Sequence, residues 1–158
     1  MRERYLEGEK VFLSPVEETD VSVLRKIKNQ EFVRKFMSSC LPQLDTDVLA
    51  DIKATKASGS PYFLIFLSWT PVEEPGEAIG YVKLEILSGI IRAAEIHIAI
   101  AEEDVGRGYG KEVIDLMTNY AFNDLNLHSV RALIREKNYA SQKAFESQGY
   151  QRVGTLPE

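Results

Sequence analysis

The sequence predicts an α+β fold, with α/β character in its second half: a mixed sheet covered by helices. Three observations lead there. The stretch from Tyr62 to Ala101 is β-rich, with only short turn-forming breaks. Beyond Gly110 the pattern changes to helix, strand, helix, as in βα units. The 158 residues, 44% of them hydrophobic, have the size and make-up of one domain that buries its own core without a disulfide or metal staple.

Taken in order, Lys10 to Ser14 is short, apolar and stopped by Pro15, which predicts a first strand. Thr19 or Asp20 can cap a helix running to about Asn29, with Val23, Leu24 and Ile27 on one face. Phe32, Val33 and Phe36 predict a further turn or two of helix. Asp45 or Thr46 can cap the next helix, through about Ala57, ended by Ser58-Gly59-Ser60-Pro61. Tyr62 to Trp69 reads as a strand, and Thr70 to Glu77, which holds Pro71, Pro75 and Gly76, connects it to the strand Ala78 to Leu87. Ser88-Gly89 then turns into the strand Ala94 to Ala101. Alternation places Ile96, Ile98 and Ile100 on one face of that strand and Glu95, His97 and Ala99 on the other. Strands joined in this way form an antiparallel meander. Val113, Ile114, Met117, Ala121, Phe122 and Leu125 then recur at helical spacing. His128 to Ile134 reads as a strand, Asn138 to Gln148 as a helix closed by Gly149, and Tyr150 to Val153 as a last short strand. No internal repeat or linker interrupts the chain.

Composition excludes several functions. Nineteen Lys and Arg against 24 Asp and Glu give a net charge of −5. That balance argues against a nucleic-acid partner, which needs clustered cations, and tolerates an amine better. The longest apolar stretch, Tyr62 to Leu67, is too short to span a bilayer, so no membrane partner is expected. The charged stretch Met1 to Lys10 lacks the apolar run of a secretion signal. The single cysteine, Cys40, makes no internal disulfide; it reads as a small packed side chain, in a protein expected in the cytoplasm.

Chemistry concentrates in Val105-Gly106-Arg107-Gly108-Tyr109-Gly110-Lys111, between a strand and an amphipathic helix. Alternating glycines permit positive φ and close approach of a ligand to the amides. Those amides, at a helix N-terminus, suit an anion, and Arg107 and Lys111 add charge. A Walker A loop fits poorly, since Glu112 stands where Ser or Thr is needed; a dinucleotide fingerprint fails at Lys111. A structural turn without a ligand remains an alternative on the turn alone.

With a second block, the sequence resembles the GNAT superfamily of acetyl-CoA-dependent N-acetyltransferases. In that family a turn of pattern Arg/Gln-x-x-Gly-x-Gly/Ala cradles the coenzyme A pyrophosphate. Gly108 and Gly110 match its small positions, and Val105 stands where Arg or Gln is usual. The second block, Leu133 to Ser141 running on to Gly149-Tyr150, looks like the family's strand, Asn-x-x-Ser/Ala, and helix ending in Gly-Phe/Tyr. The resemblance covers nearly the whole chain and looks closest to the ribosomal-protein and polyamine N-acetyltransferase branches. It implies a mostly antiparallel sheet with helices on both faces. It further implies acetyl-CoA as cofactor and a small-molecule or peptide amine as acceptor, attacked directly in a ternary complex.

The site residues follow from that resemblance. Coenzyme contacts fall on Ile100, Ala101, Val105, Gly106, Arg107, Gly108, Tyr109, Gly110, Lys111, Asn138 and Ser141. Acetyl transfer needs a neutral amine, a donor for the oxyanion and protonation of the thiolate. Backbone amides at Ile100 and Ala101 supply the donor, Glu95 the base, with His97 beside it, and Ser141 or water the proton. The family's usual acid, a tyrosine in the last helix, is Phe145 here, which donates no proton. The base reading competes with a solvated strand face. Phe145 and Val105 keep open an inactive acyl-CoA-binding sensor of the same fold. An unrelated α/β nucleotide-binding module is the more distant alternative. The family's closing C-terminal strand is apparently missing after Val153, so the chain is expected either to form a homodimer through its C-terminal half or to be incomplete.

Overall fold

A computed structural model describes residues 2–36, 41–69, 71 and 76–156. Cys40 and most of the predicted connection from Thr70 to Glu77 lie outside the described residues. Six strands form one sheet in sequence order: β1 (Leu6–Glu7), β2 (Val11–Pro15), β3 (Tyr62–Leu67), β4 (Gly80–Ser88), β5 (Ala93–Ile100) and β6 (Ser129–Arg131). All neighbours are antiparallel except β5 and β6, which are parallel. The described residues also form five α-helices: α1 (Val21–Lys28), α2 (Glu31–Arg34), α3 (Asp45–Ala57), α4 (Tyr109–Asn119) and α5 (Tyr139–Ser147).

The sheet is buried on both faces, and alternation divides it into two cores. Val11, Leu13, Phe63, Ile65, Val82, Leu84 and Ile96 face Val113, Ile114 and Met117 of α4 and Phe145 of α5. Phe12, Leu64, Phe66 and Tyr81 face Leu24 and Ile27 of α1 and Val48 and Ile52 of α3. The period-two pattern of β2 and β3 therefore reads as a nearly continuous apolar run, as expected for strands covered on both sides.

Several expectations are corrected. The predicted strand at Tyr150 to Val153 does not form. Gly149, at φ +89, turns the chain back, the Tyr150 amide donates to the Phe145 carbonyl at 3.1 Å, and the Tyr150 hydroxyl bonds Thr118 at 2.8 Å. Tyr150 is thereby held against Phe145, ring centroids 4.9 Å apart. The predicted strand His128 to Ile134 shrinks to β6. The sequence reading missed β1, a two-residue strand that hairpins onto β2. Of the predicted caps, Asp20 does stand at the N-cap of α1, but its carboxylate takes the Glu17 amide at 2.8 Å and the Arg2 guanidinium at 2.8 Å and caps no α1 amide; Asp45 and Thr46 fall inside α3, whose N-cap is Leu44, with the Leu44 amide donating to Asp47 at 2.9 Å. Phe122, predicted to share the buried stripe, lies past the end of α4 in the π-helical turn Tyr120–Asp124 and is exposed.

Candidate active site

The glycine turn sits where expected, between β5 and α4. Gly106 and Gly108 have φ of +84 and +83, a region L side chains rarely enter. Gly108 is the N-cap of α4 and has no side chain to satisfy the helix's first amides. The intrahelical ladder begins with the Glu112 amide donating to Gly108, so Tyr109, Gly110 and Lys111 precede it. The Val105 amide is different: it donates to the Glu102 carbonyl at 3.3 Å, which takes Val105 out of the predicted cradle. The candidate cradle therefore narrows to Gly106 to Lys111, rimmed by the exposed Arg107 and Lys111.

Two residues of the turn's surroundings escaped sequence reasoning. Lys10, just before β2, brings its Nζ to 3.4 Å from the Arg107 carbonyl and beside Gly108. Glu112 reaches across to accept the backbone amide of Lys10 at 2.9 Å, pinning α4 to the sheet. It fills the space a Cβ on Gly8 would need, so Gly8 is tied to this contact. Both contacts span about a hundred residues of sequence, which local patterns do not report.

β5 is flanked unequally. β4 pairs with it through Ile100, but β6 pairs with it only from Ala93 to Glu95. Beyond Glu95, no strand among the described residues lies along that edge. The Ala101 amide donates to the Ile79 carbonyl on the β4 side at 2.8 Å. Antiparallel alternation then turns the amides and carbonyls of Ile98 and Ile100 to the open edge. Of the predicted donor pair, Ile100 faces the opening and the Ala101 amide is already used.

Glu95 is on the face that carries α1 and α3, with a side chain only 8% exposed. It lies opposite Glu85 of β4 and Arg131 of β6. One carboxylate oxygen is 3.9 Å from His97 Nε2 and 3.9 Å from Arg131; the other, Oε1, is buried without a hydrogen-bond partner among the described residues. His97 Nε2 is 2.9 Å from Glu85 Oε2. A charged row continues along this face: Lys83, the register partner of His97, bonds Asp51 of α3 at 2.9 Å, and Lys28 of α1 bonds the same carboxylate at 3.0 Å. Burial pushes the Lys28 ammonium below its usual range, against the pull of Asp51. Burial works to raise Asp51, but the two lysines outweigh it and hold its carboxyl low.

Asn138 caps α5, its Oδ1 accepting the Ser141 amide at 3.2 Å. The two predicted residues on α5 are thus brought together, but no hydrogen bond joins either to Glu95. Phe145 is 3% exposed, inside the core against Tyr150.

Residues 10–151 match the model of the acetyltransferase (GNAT) domain family. The chain belongs to this family. The spermidine N(1)-acetyltransferase of Vibrio cholerae is 34% identical over 80 residues, 51% of this chain and 46% of that protein. An N-acetyltransferase 9-like protein of Caenorhabditis briggsae is 28% identical over 92% of this chain and 77% of its own length. The chain spans about half the length of most of the curated relatives it matches. Among solved structures, V. cholerae spermidine N-acetyltransferase with CoA and spermine superposes with a TM-score of 0.81 at 20% identity, covering 94% of this chain and 85% of that one. Mycobacterium smegmatis RimJ with CoA-disulfide superposes at 0.77 and 20% identity, covering 98% and 80%. At those identities the structures establish a shared GNAT fold, and the glycine turn and open strand edge described above are features of this chain's version of it.

Proposed function

We propose that this GNAT-family chain binds acetyl-coenzyme A along the open edge of β5 and transfers the acetyl group to a primary amine on the α1 and α3 face. The observation that carries the reading is the parting of β5 and β6 after Glu95, which leaves strand amides, the glycine cradle and a buried carboxylate beside one opening. Pyrophosphate would rest on the amides of Gly106 to Lys111, with Arg107, Lys111 and Lys10 supplying positive charge. The pantetheine arm would pair with Ile98 and Ile100 as a strand would, and the Asn138 amide nitrogen would add a donor.

In the transfer, Glu95 accepts a proton from the incoming ammonium. The amine nitrogen forms a bond to the thioester carbon while the Ile100 amide stabilises the oxyanion, and the C–S bond then breaks. The attached nitrogen gives up its second proton, which passes through the Ser141 hydroxyl or a water to the leaving thiolate, since Phe145 lies in the core and carries no acid. Acceptor choice belongs to the α1 side, where a groove of about 860 Å³ is lined by Arg25, Asn29, Gln43 and Glu77 among others. The V. cholerae relative is named for spermidine, and another structural neighbour is an aminoglycoside acetyltransferase, which supports a polyamine or other small amine as acceptor, with a protein N-terminus as the alternative. No helix among the described residues is long and apolar enough to cross a membrane. With its single cysteine, the chain fits a reducing, cytoplasmic setting.

The test is thiol release from acetyl-CoA across polyamines, aminoglycosides, amino acids and N-terminal peptides. Turnover of at least one amine is expected. Coenzyme binding without turnover on any of them would favour the inactive acyl-CoA sensor, the reading that the position of Phe145 favours. Preference for ATP or NAD over coenzyme A would overturn both.

A further inference from the structure

We propose that Glu85, Glu95 and His97 form a divalent transition-metal site, with Zn²⁺ the best-matched cation, in which the metal and an acceptor amine compete for Glu95. Glu85 and Glu95 stand directly opposite each other on β4 and β5, and His97 is two residues further on the same face. One ligand atom from each residue lies within 4.8 Å of the other two. The shortest separation is 2.9 Å and the His97–Glu95 one is 3.9 Å, a spread that brackets the edge of a tetrahedron around an ion with bonds of about 2 Å.

Two facing carboxylates repel and need a cation between them. Arg131, which reaches Glu95 at 3.9 Å, is 63% exposed, and His97 reaches Glu85 at 2.9 Å. An independent observation points to a ligand: Oε1 of Glu95, on a side chain more than nine-tenths buried, has no partner among the described residues. A buried carboxylate oxygen left unpaired is costly; Oε2 is the oxygen 3.9 Å from His97, and an ion held there with Oε1 as its second, chelating oxygen would satisfy both. The donor set selects the ion. Imidazole with carboxylates suits a borderline cation better than Mg²⁺ or Ca²⁺, which want oxygen alone, and three protein ligands leave one position for water. No sequence spacing announced this site, because its ligands come from two strands whose pairing places them together.

The competition with an amine rests on the function proposed above; the metal site does not. The experiment has two arms. Isothermal titration of the metal-free chain with Zn²⁺ should give one ion per chain and a raised melting temperature, and Co²⁺ should develop the visible absorption of a nitrogen- and oxygen-ligated ion. His97→Ala and Glu85→Gln should each weaken binding by about tenfold or more. No saturable Zn²⁺ binding, or affinity unchanged in both variants, would overturn the site. In the second arm, Zn²⁺ should inhibit acetyl transfer competitively against the amine. Inhibition competitive only with acetyl-CoA would overturn the shared use of Glu95. A chain that binds Zn²⁺ but acetylates no amine keeps the site and removes the proposed function; a chain that acetylates amines without binding Zn²⁺ does the reverse.

Discussion

At the scale of single residues, the glycines of the turn differ in what they tolerate. Gly108 sits at φ +83, and a Cβ there would lie 3.1 Å from Lys10 Nζ, at the mouth of the cradle. Gly108→Val should abolish the rise in melting temperature that coenzyme A gives the parent chain. Gly110 is helical, and a Cβ there meets only Ile100 Cδ1 at 3.5 Å, an ordinary contact. Gly110→Ala should therefore stabilise the chain by roughly 0.5–1 kcal/mol in a thermal melt, with the coenzyme shift retained. A retained shift in Gly108→Val would remove the cradle assignment. Glu95→Gln keeps the shape of the side chain and removes the proposed base; amine acetylation should fall by about a hundredfold or more while the coenzyme shift persists. Undiminished turnover would reassign Glu95 to a packing or metal-binding role alone.

At the scale of elements, α1, α3 and β4 are held together by a shared carboxylate. Asp51 takes both Lys28 and Lys83, and these ammoniums also lie 5.3 and 4.9 Å from the rings of Tyr81 and Tyr62 respectively. Removing the carboxylate leaves two lysines partly buried without a counter-charge. Asp51→Asn should cost about 2–3 kcal/mol in urea unfolding, below the range for a fully buried pair because Asp51 keeps 30% exposure. The sign of its pH dependence follows from its lowered folded-state value. The stabilisation is fully present above the ordinary carboxyl value of 3.8 and is lost as pH falls through the lower folded one. The parent chain should thus lose stability below about pH 4 more steeply than the variant, as read from melting temperature against pH.

The other element-scale constraint is the β4–β5 seam. A Cβ on Gly80 would lie 2.1 Å from the Ala99 carbonyl oxygen, so an alanine forces the strands apart. Gly80→Ala should destabilise by roughly 1–3 kcal/mol and also lower acetyl transfer, because it shifts the strand that carries Glu95 and Ile100. Destabilisation without loss of transfer would separate the seam from the site.

At the scale of the molecule, the sheet ends on β6, a three-residue strand whose outer edge has no partner among the described residues. Leu133, Tyr139 and Val153 nearby are exposed. Open edges and apolar surface favour pairing with another strand, and a second copy is the partner every solution of the protein supplies. We propose self-association through this C-terminal half. Light scattering at micromolar concentration should give twice the chain mass, and a monomer with slow amide exchange throughout 129–153 would refute it.

The sequence by itself determined the fold class, the order of the main helices and strands, and the family, because these rest on local periodicity and on glycines at turns whose positive φ other residues rarely adopt. It also placed the glycine turn between β5 and α4, since the turn is contiguous. Only the tertiary structure decided which groups of that stretch are available. The Val105 and Ala101 amides are used by Glu102 and Ile79, and the Tyr150 segment folds onto Phe145 instead of extending as a strand. It alone set Lys10 and Glu112 against the turn and Glu85 against Glu95 and His97. Such pairings depend on strand register and on contacts across the sheet, and side chains distant in sequence carry no local mark of the partners that register gives them.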